Sequence, residues 1–221
     1  MAAISNRRFI LPVLIAFSFA TGFFFGLIAK GLLNPSGWAE ALSGIATAVA
    51  LILAVVTYMG WHKQKIREDA YSTKKLYIST LVQIEATTVK IANIILNLVP
   101  EAGMLVPSEN QARSNLEKVI DEDHELKLNT HSLSSVASEL GFWGASLTPD
   151  SATDHAKLID AINEYLRSLH GLHNCLMNIY IHKSSDNTIE QWKERFIRAN
   201  KEIFDLFNLR KTKSMSTVFL D

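Results

Sequence analysis

Two uncharged, apolar runs occupy most of the first quarter of the chain. They cover Phe9–Ala29 and Ala41–Trp61, and each is 21 residues long. About 20 apolar residues in a helix cross a hydrocarbon core roughly 30 Å thick. A soluble domain of this size would not bury two such runs, so the pattern predicts a transmembrane helical hairpin over residues 1–61. A cleaved signal peptide is the alternative for the first run, but its apolar part exceeds the roughly 7–15 residues typical of such peptides.

Basic residues flank the two runs on their outer sides. Arg7 and Arg8 precede the first run, whereas Lys63, Lys65 and Arg67 follow the second. The connection between the runs has one Lys and one Glu. Because positive charge collects on the cytoplasmic side of membrane proteins, this distribution predicts that both termini are cytoplasmic and that the short connection lies outside.

Small residues recur at helical spacing within both runs. Gly22 and Gly26 form a GxxxG pair, and Gly44 and Ala48 repeat the spacing in the second run. Small side chains let helix backbones approach closely in lipid. The pattern fits a face for self-association, or, as the more ordinary explanation, packing of the two helices within one monomer. Neither run has an ionisable residue near its centre, which argues against a transporter or a selective channel.

The rest of the chain is polar, and its apolar residues return with alternating spacings of four and three. Such a seam predicts that the second run continues as one long helix up to Pro100 and Gly103. The seam positions are Tyr77, Leu81, Ile84, Thr88, Ile91, Ile95 and Leu98. Similar seams predict a helix over about Ser151–His182 and a last helix from Ile189 to Leu206, which together would form an antiparallel hairpin.

Shorter signals mark the elements between these helices. Ser108 and Gln111 fit a capping box at the start of an acidic, solvated helix. A separate short helix is predicted over Ser132–Leu140, and the aromatic pair after it is expected to plug the end of the helical core rather than to bind a partner. Two further capping boxes could begin the last helix, either Asn187 with Glu190 or Thr188 with Gln191.

No segment has the sustained alternation of a strand. The predicted fold is therefore all-α, with an N-terminal transmembrane helical hairpin (1–61) followed by a cytoplasmic helical bundle (62–210). The C-terminal tail (211–221) would be either disordered or docked as a short peptide.

Charge and cysteine content narrow the class further. Three of the 22 Lys and Arg residues and one of the 22 Asp and Glu residues precede residue 62, so the remainder has a net charge of about −2. That balance does not favour non-specific binding of nucleic acid. The single cysteine, Cys175, cannot form an internal disulfide, which suits a reducing compartment.

Candidate chemistry is sparse. His170 and His173 are three residues apart and could share a metal ion, with other ligands supplied by other helices. A hydrogen-bonded core histidine is the more common explanation for His173, which lies on the apolar seam. Calcium binding by the acidic cluster at 121–125 is not favoured, because that cluster lacks the glycine-containing loop of an EF-hand. No phosphate-binding loop and no catalytic motif is present, so we expect neither an enzyme nor a metal or other cofactor.

Basic residues line the last helix and follow it. This basic end of the chain could bind an acidic partner, a nucleic acid or anionic lipid, or could be a solvated helix end. The residues concerned are Lys193, Arg198, Lys201, Arg210, Lys211 and Lys213.

Two stretches, Trp38–Tyr58 and Trp61–Asp69, resemble small bacterial membrane proteins of phage defence. The type they resemble is the two-transmembrane effector encoded beside a retron reverse transcriptase. The resemblance covers residues 35–70 and the layout of a hairpin followed by a helical domain. It implies a toxic protein of the bacterial inner membrane, held inactive by a reverse transcriptase with its RNA–DNA product and released during infection. The alternative function is a membrane-tethered adaptor or signalling subunit that localises a cytoplasmic partner without toxicity.

Overall fold

A computed structural model describes Gly22, Gly26, residues 35–100 and residues 107–220 of the chain. Most of the first apolar run, together with Arg7, Arg8 and Gly103, lies outside the described residues. The chain divides into two compact units, Met1–Lys65 and Ile66–Asp221.

Helices dominate the described residues, which confirms the predicted all-α class. The elements in chain order are α1 (Pro35–Leu96), α2 (Glu109–Phe142), β1 (Ser146–Leu147), α3 (Pro149–Tyr180), α4 (Ile189–Lys211), α5 (Met215–Val218) and β2 (Phe219–Leu220). The two short strands pair antiparallel, with Ser146 opposite Leu220 and Leu147 opposite Phe219. All four long helices contribute to one apolar core in the second unit.

Helix α1 runs without interruption from the second apolar run into the second unit, as the seam predicted. The seven seam residues from Tyr77 to Leu98 are all buried. Buried threonines on the same helix satisfy their hydroxyls locally: Thr80 donates to the Leu76 carbonyl at 3.0 Å and Thr88 to the Glu85 carbonyl at 2.8 Å. Such bonds let polar side chains enter an apolar core without an unsatisfied donor.

Helix α2 corrects the prediction of two elements between residues 109 and 142. Ser108 caps its start by accepting a hydrogen bond from the Gln111 amide at 3.3 Å. The helix then continues through Ser132 without a break, because buried Leu126, Leu133 and Leu140 extend one face across the acidic stretch.

The aromatic pair at the end of α2, Phe142 and Trp143, divides between surface and core. Phe142 is 79% exposed, so the expected plug is wrong for this residue. Trp143 is partly buried against the core, and its indole donates to Glu139 at 3.1 Å.

Helix α3 is the central element of the core, because it is buried on two faces. Thr148 caps it and Pro149 occupies its first turn, two residues before the predicted start. Two buried tyrosines connect it to α1 and to the turn that follows α1. The Tyr165 hydroxyl donates to the Thr88 carbonyl on α1 at 3.0 Å, and the Tyr180 hydroxyl donates to the Leu98 carbonyl, just beyond the end of α1, at 2.7 Å.

Helices α3 and α4 pack closely where Trp192 lies over Gly171. A Cβ atom on Gly171 would come within 2.3 Å of the Trp192 ring, so only glycine permits this approach.

The start of α4 corrects the predicted capping boxes, because Thr188 makes no side-chain cap. Instead, the Asp186 carboxylate accepts hydrogen bonds from the Thr188 amide and hydroxyl at 2.9 and 2.7 Å. These bonds lower the pKa of Asp186 to about 2.

Candidate functional site: an apolar segment and a tail-docking cluster

The first feature with functional meaning is the apolar part of α1. The helix is long and apolar enough to cross a membrane, and none of its apolar window is buried inside the chain. Residues 50–65 are all exposed, including Leu51 at 66%. Large exposed apolar surfaces on a protein mark contact with a membrane or with another protein. This segment is therefore the strongest candidate for a lipid contact among the described residues.

The small-residue positions of both runs have space around them. Gly44 and Ala48 are exposed on α1, and Gly22 and Gly26 are helical and exposed. A Cβ atom built on Gly22, Gly26 or Gly44 meets no neighbouring atom within 4 Å. Within the described part of the chain, these glycines are not required by close packing.

The charged residues that were used to predict orientation lie just beyond the apolar segment. Lys63, Lys65 and Arg67 are all exposed on α1. In a helix that crosses a bilayer, basic residues are common at this position, next to the end of the apolar segment.

The second feature is a partly buried polar cluster in the second unit, which we name the tail-docking cluster. It consists of Tyr77 on α1, Asp154 and His155 on α3, Arg210 at the end of α4, and Lys213 just after α4. Arg210 donates to the Tyr77 hydroxyl oxygen, and its guanidinium carbon lies 5.0 Å from the centre of the Tyr77 ring. Three distant parts of the sequence therefore meet at one buried tyrosine.

Hydrogen-bond polarity fixes one proton in this cluster. Arg210 can only donate, so the Tyr77 oxygen accepts from it. The Tyr77 hydroxyl also lies 3.0 Å from His155 Nδ1. With Tyr77 as the donor of that bond, His155 is neutral and has its proton on Nε2. Burial, and next the positive charge of Arg210, lower the pKa of His155, which favours the same neutral form. Burial raises the pKa of Tyr77, so its hydroxyl keeps its proton.

The C-terminal tail lies over this cluster. Phe219 is buried with its ring edge-on to the Tyr77 ring, at 5.7 Å between centres, and Val218 is buried beside it. Thr148 holds the tail backbone: its amide donates to the Val218 carbonyl at 2.9 Å and its hydroxyl to the Thr217 carbonyl at 3.0 Å. The sequence left open whether the tail is disordered or docked, and in the structure it is docked.

The basic residues of the last helix separate into two groups. Arg210, Lys211 and Lys213 are engaged within the chain, by Tyr77, Glu85 and Asp154 respectively. Lys193 lies 3.5 Å from Glu190. Arg198 and Lys201 are exposed. A partner-binding role stays a prediction for these residues, and the exposed pair is the more accessible part of it.

The two candidate metal-binding histidines have different surroundings. His170 Nε2 lies 3.1 Å from Asp123 Oδ1, and Asp123 also pairs with Lys127 at 2.6 Å. His173 is half-buried, and burial lowers its pKa. No group of three or more potential metal ligands occurs among the described residues.

Sequence reasoning placed Tyr77 and His155 on apolar seams but missed their contact with each other and with Arg210. The available signal was weak, because both seams contain further residues with polar ends, such as Thr88 and His173, among their aliphatic neighbours. Comparison of the chain with protein-family models, with curated proteins and with solved structures finds no match.

Proposed function

We propose that this chain is an integral membrane protein, anchored by its two apolar runs as a helical hairpin with both termini in the cytoplasm. One observation carries the proposal: no residue in the apolar window of α1 is buried, although the same helix forms part of a well-packed core further along. In water such a surface would be unfavourable by about 25 cal/mol for each Å² of apolar area. In a bilayer the same surface is solvated by lipid.

Extraction experiments test the anchor. Membranes from cells that express the full chain are washed with alkaline carbonate or with high salt, and the protein is followed in pellet and supernatant. A membrane-spanning hairpin stays in the pellet under both washes and enters solution only with detergent. Release by carbonate or salt alone would contradict the proposal.

Single cysteines test the topology. A cysteine placed in the connection, at Ser36, should react with a membrane-impermeant maleimide added to intact cells, whereas one at Ser135 on α2 should react only after lysis. The native Cys175 is buried and provides the background.

Within this membrane assignment, we propose that the chain is an effector of bacterial anti-phage defence that impairs the inner membrane. The support is the resemblance of residues 35–70 to retron-associated effectors and the open small-residue positions on the apolar helices. In this mechanism an inhibitory partner, such as a reverse transcriptase with its RNA–DNA product, binds the second unit and keeps the hairpins apart. Loss of that partner lets several hairpins associate through their small-residue faces, and the bilayer depolarises. No catalytic step is required.

Matched glycine substitutions test the effector mechanism. Gly44 and Gly60 lie on α1, about 160° apart around the helix, and both have open space where a Cβ atom would lie. Expression without the partner should depolarise cells; Gly44→Ile should suppress this by blocking close approach, and Gly60→Ile should leave it unchanged. Full polarisation at high expression of the native chain would refute the effector mechanism.

A membrane-tethered adaptor is the second candidate, and one observation favours it: the second unit has a core of its own, as expected of a localised module. Replacement of residues 1–61 by an unrelated two-helix anchor separates the candidates. An adaptor keeps its cellular phenotype after the exchange, whereas an effector loses toxicity.

A further inference from the structure

The docking of the tail has the features of peptide recognition by strand addition. The backbone of residues 219–220 pairs with β1, and Thr148 adds two hydrogen bonds to the carbonyls of Thr217 and Val218. Main-chain bonds supply the hold in this mode of recognition, and pockets for particular side chains supply the selectivity. Here the pockets take Val218 and Phe219.

The docked segment is small and lightly held. Only Val218 and Phe219 are buried, whereas Met215, Ser216, Thr217 and Leu220 are exposed. A short segment with few buried contacts opens far more easily than the core beneath it. The tail can therefore leave its groove while α1, α3 and α4 stay folded.

We propose that residues 214–220 form a releasable latch, and that the groove it leaves accepts the same segment from a second copy of this chain. The identical segment carries the same two side chains into the same pockets, so exchange needs no new complementarity. Exchange of an element between copies is a low-cost route to dimers. The proposed membrane anchoring assists exchange, because it raises the local concentration of the second tail, but the groove and its ligand do not depend on it.

Cysteines at the paired positions Ser146 and Leu220 report where the tail lies. Both residues are exposed, and their Cα atoms face each other in the ladder. In one chain, the double variant Ser146→Cys/Leu220→Cys should oxidise to an intramolecular disulfide. Adding Phe219→Ala, which empties the aromatic pocket, should slow that oxidation. Failure of the double variant to form the bond would overturn the docked latch.

Mixing two single variants tests exchange between copies. Isotopically labelled Ser146→Cys protein is incubated in detergent with unlabelled Leu220→Cys protein under oxidising conditions, and disulfide-linked peptides are identified by mass spectrometry. We expect a 146–220 link between the copies, on the order of tenfold above a control mixture of Ser135→Cys with Leu220→Cys. Equal yields in the two mixtures would show collision only and would overturn exchange.

The two proposals can fail separately. The cross-linking is done in detergent and reads only the position of the tail, whereas carbonate extraction and membrane potential read only the membrane function. Prior oxidation of the double variant should also prevent it from linking to a second copy, because its own tail then fills the groove.

Discussion

The two halves of α1 have the same secondary structure and opposite relations to their surroundings. Residues 42–61 are apolar around the whole helix and largely exposed, whereas residues 73–95 are apolar along one seam and buried there. Helix formation satisfies the backbone in both halves, so it does not distinguish them. The two halves differ in how apolar side chains are distributed around the helix axis. A helix surrounded by lipid needs apolar side chains on every face, whereas a helix at the edge of a protein core needs them on one face only.

Three threonines in the two halves bond in the same way. Thr47 in the exposed half donates to the Ser43 carbonyl at 2.8 Å, as Thr80 and Thr88 donate to the preceding turn in the buried half. Each hydroxyl is satisfied inside its own helix and needs no water. The exposed half is thus suited to an environment without water, as the core is.

Truncation of a side chain to alanine should give the largest difference in stability between the two halves of α1. Ile84→Ala removes a fully buried side chain from the seam and should lower the free energy of unfolding of the second unit by about 2–5 kcal/mol. Leu51→Ala, at an exposed position of the apolar half, should change it by less than about 0.5 kcal/mol. Denaturant titration in detergent, followed by tryptophan fluorescence, measures both. Similar losses for the two variants would mean that the exposed half is also packed.

Introduction of a charge should have its main effect in the other half of α1, the exposed apolar half. Leu51→Arg places a guanidinium at the middle of residues 42–61 and should disfavour membrane insertion of that segment by about 2.5–3.5 kcal/mol. Leu128→Arg, at an exposed leucine of α2, should have no effect on insertion. The inserted fraction is measured with engineered glycosylation sites on either side of the segment. Equal insertion of the two variants would argue against lipid as the environment of the apolar half.

Loss of one buried hydroxyl should have a smaller effect. Tyr165→Phe removes the hydrogen bond to the Thr88 carbonyl and should cost about 1 kcal/mol of stability. Burial raises the pKa of Tyr165, so its hydroxyl remains a donor across the usual range of pH. Tyr71→Phe, at an exposed tyrosine of α1, provides the control and should leave the denaturation midpoint unchanged.

Acidification should lower the stability of the second unit only, and this is the smallest expected effect. Burial lowers the pKa values of His155 and His173 in the folded state, so between these values and the ordinary value of about 6.5 the unfolded chain binds more protons. Stability should therefore fall as the pH decreases below about 6.5. Protonation of His155 also removes the acceptor for Tyr77 and adds a cation beside Arg210.

Urea midpoints at a pH of about 7.5 and of about 5.5 measure this dependence. The double variant His155→Gln/His173→Gln should have a smaller difference between the two midpoints than the native chain. Glu164 and Asp186, whose pKa values are lowered by hydrogen bonds with Arg195 and Thr188, titrate below this window and do not disturb the comparison. An unchanged difference would exclude both histidines as its source.

Local signals along the chain predicted most of the helical framework. The seam from Tyr77 to Leu98, the cap at Ser108 and the all-α class depend on residues within one or two turns of each other, and the structure has them. The prediction of a break before Ser132 was wrong. It gave more weight to the polar composition of this stretch than to the apolar helix face that continues through Leu133. The caps proposed for α4 were wrong because the carboxylate of Asp186, a residue outside both motifs, accepts the hydrogen bond of the Thr188 amide.

The chain sequence determined which stretches are helical, which helix faces are apolar and which stretch is unsuited to water, since each is a property of neighbouring residues. Packing alone decided that Tyr77 meets His155 and Arg210, which lie 78 and 133 residues further along the chain. It also decided that the tail docks, because the pocket for Phe219 exists only after α1 and α3 have come together. Contacts between distant residues depend on how whole helices cross, and no local pattern of side chains carries that information.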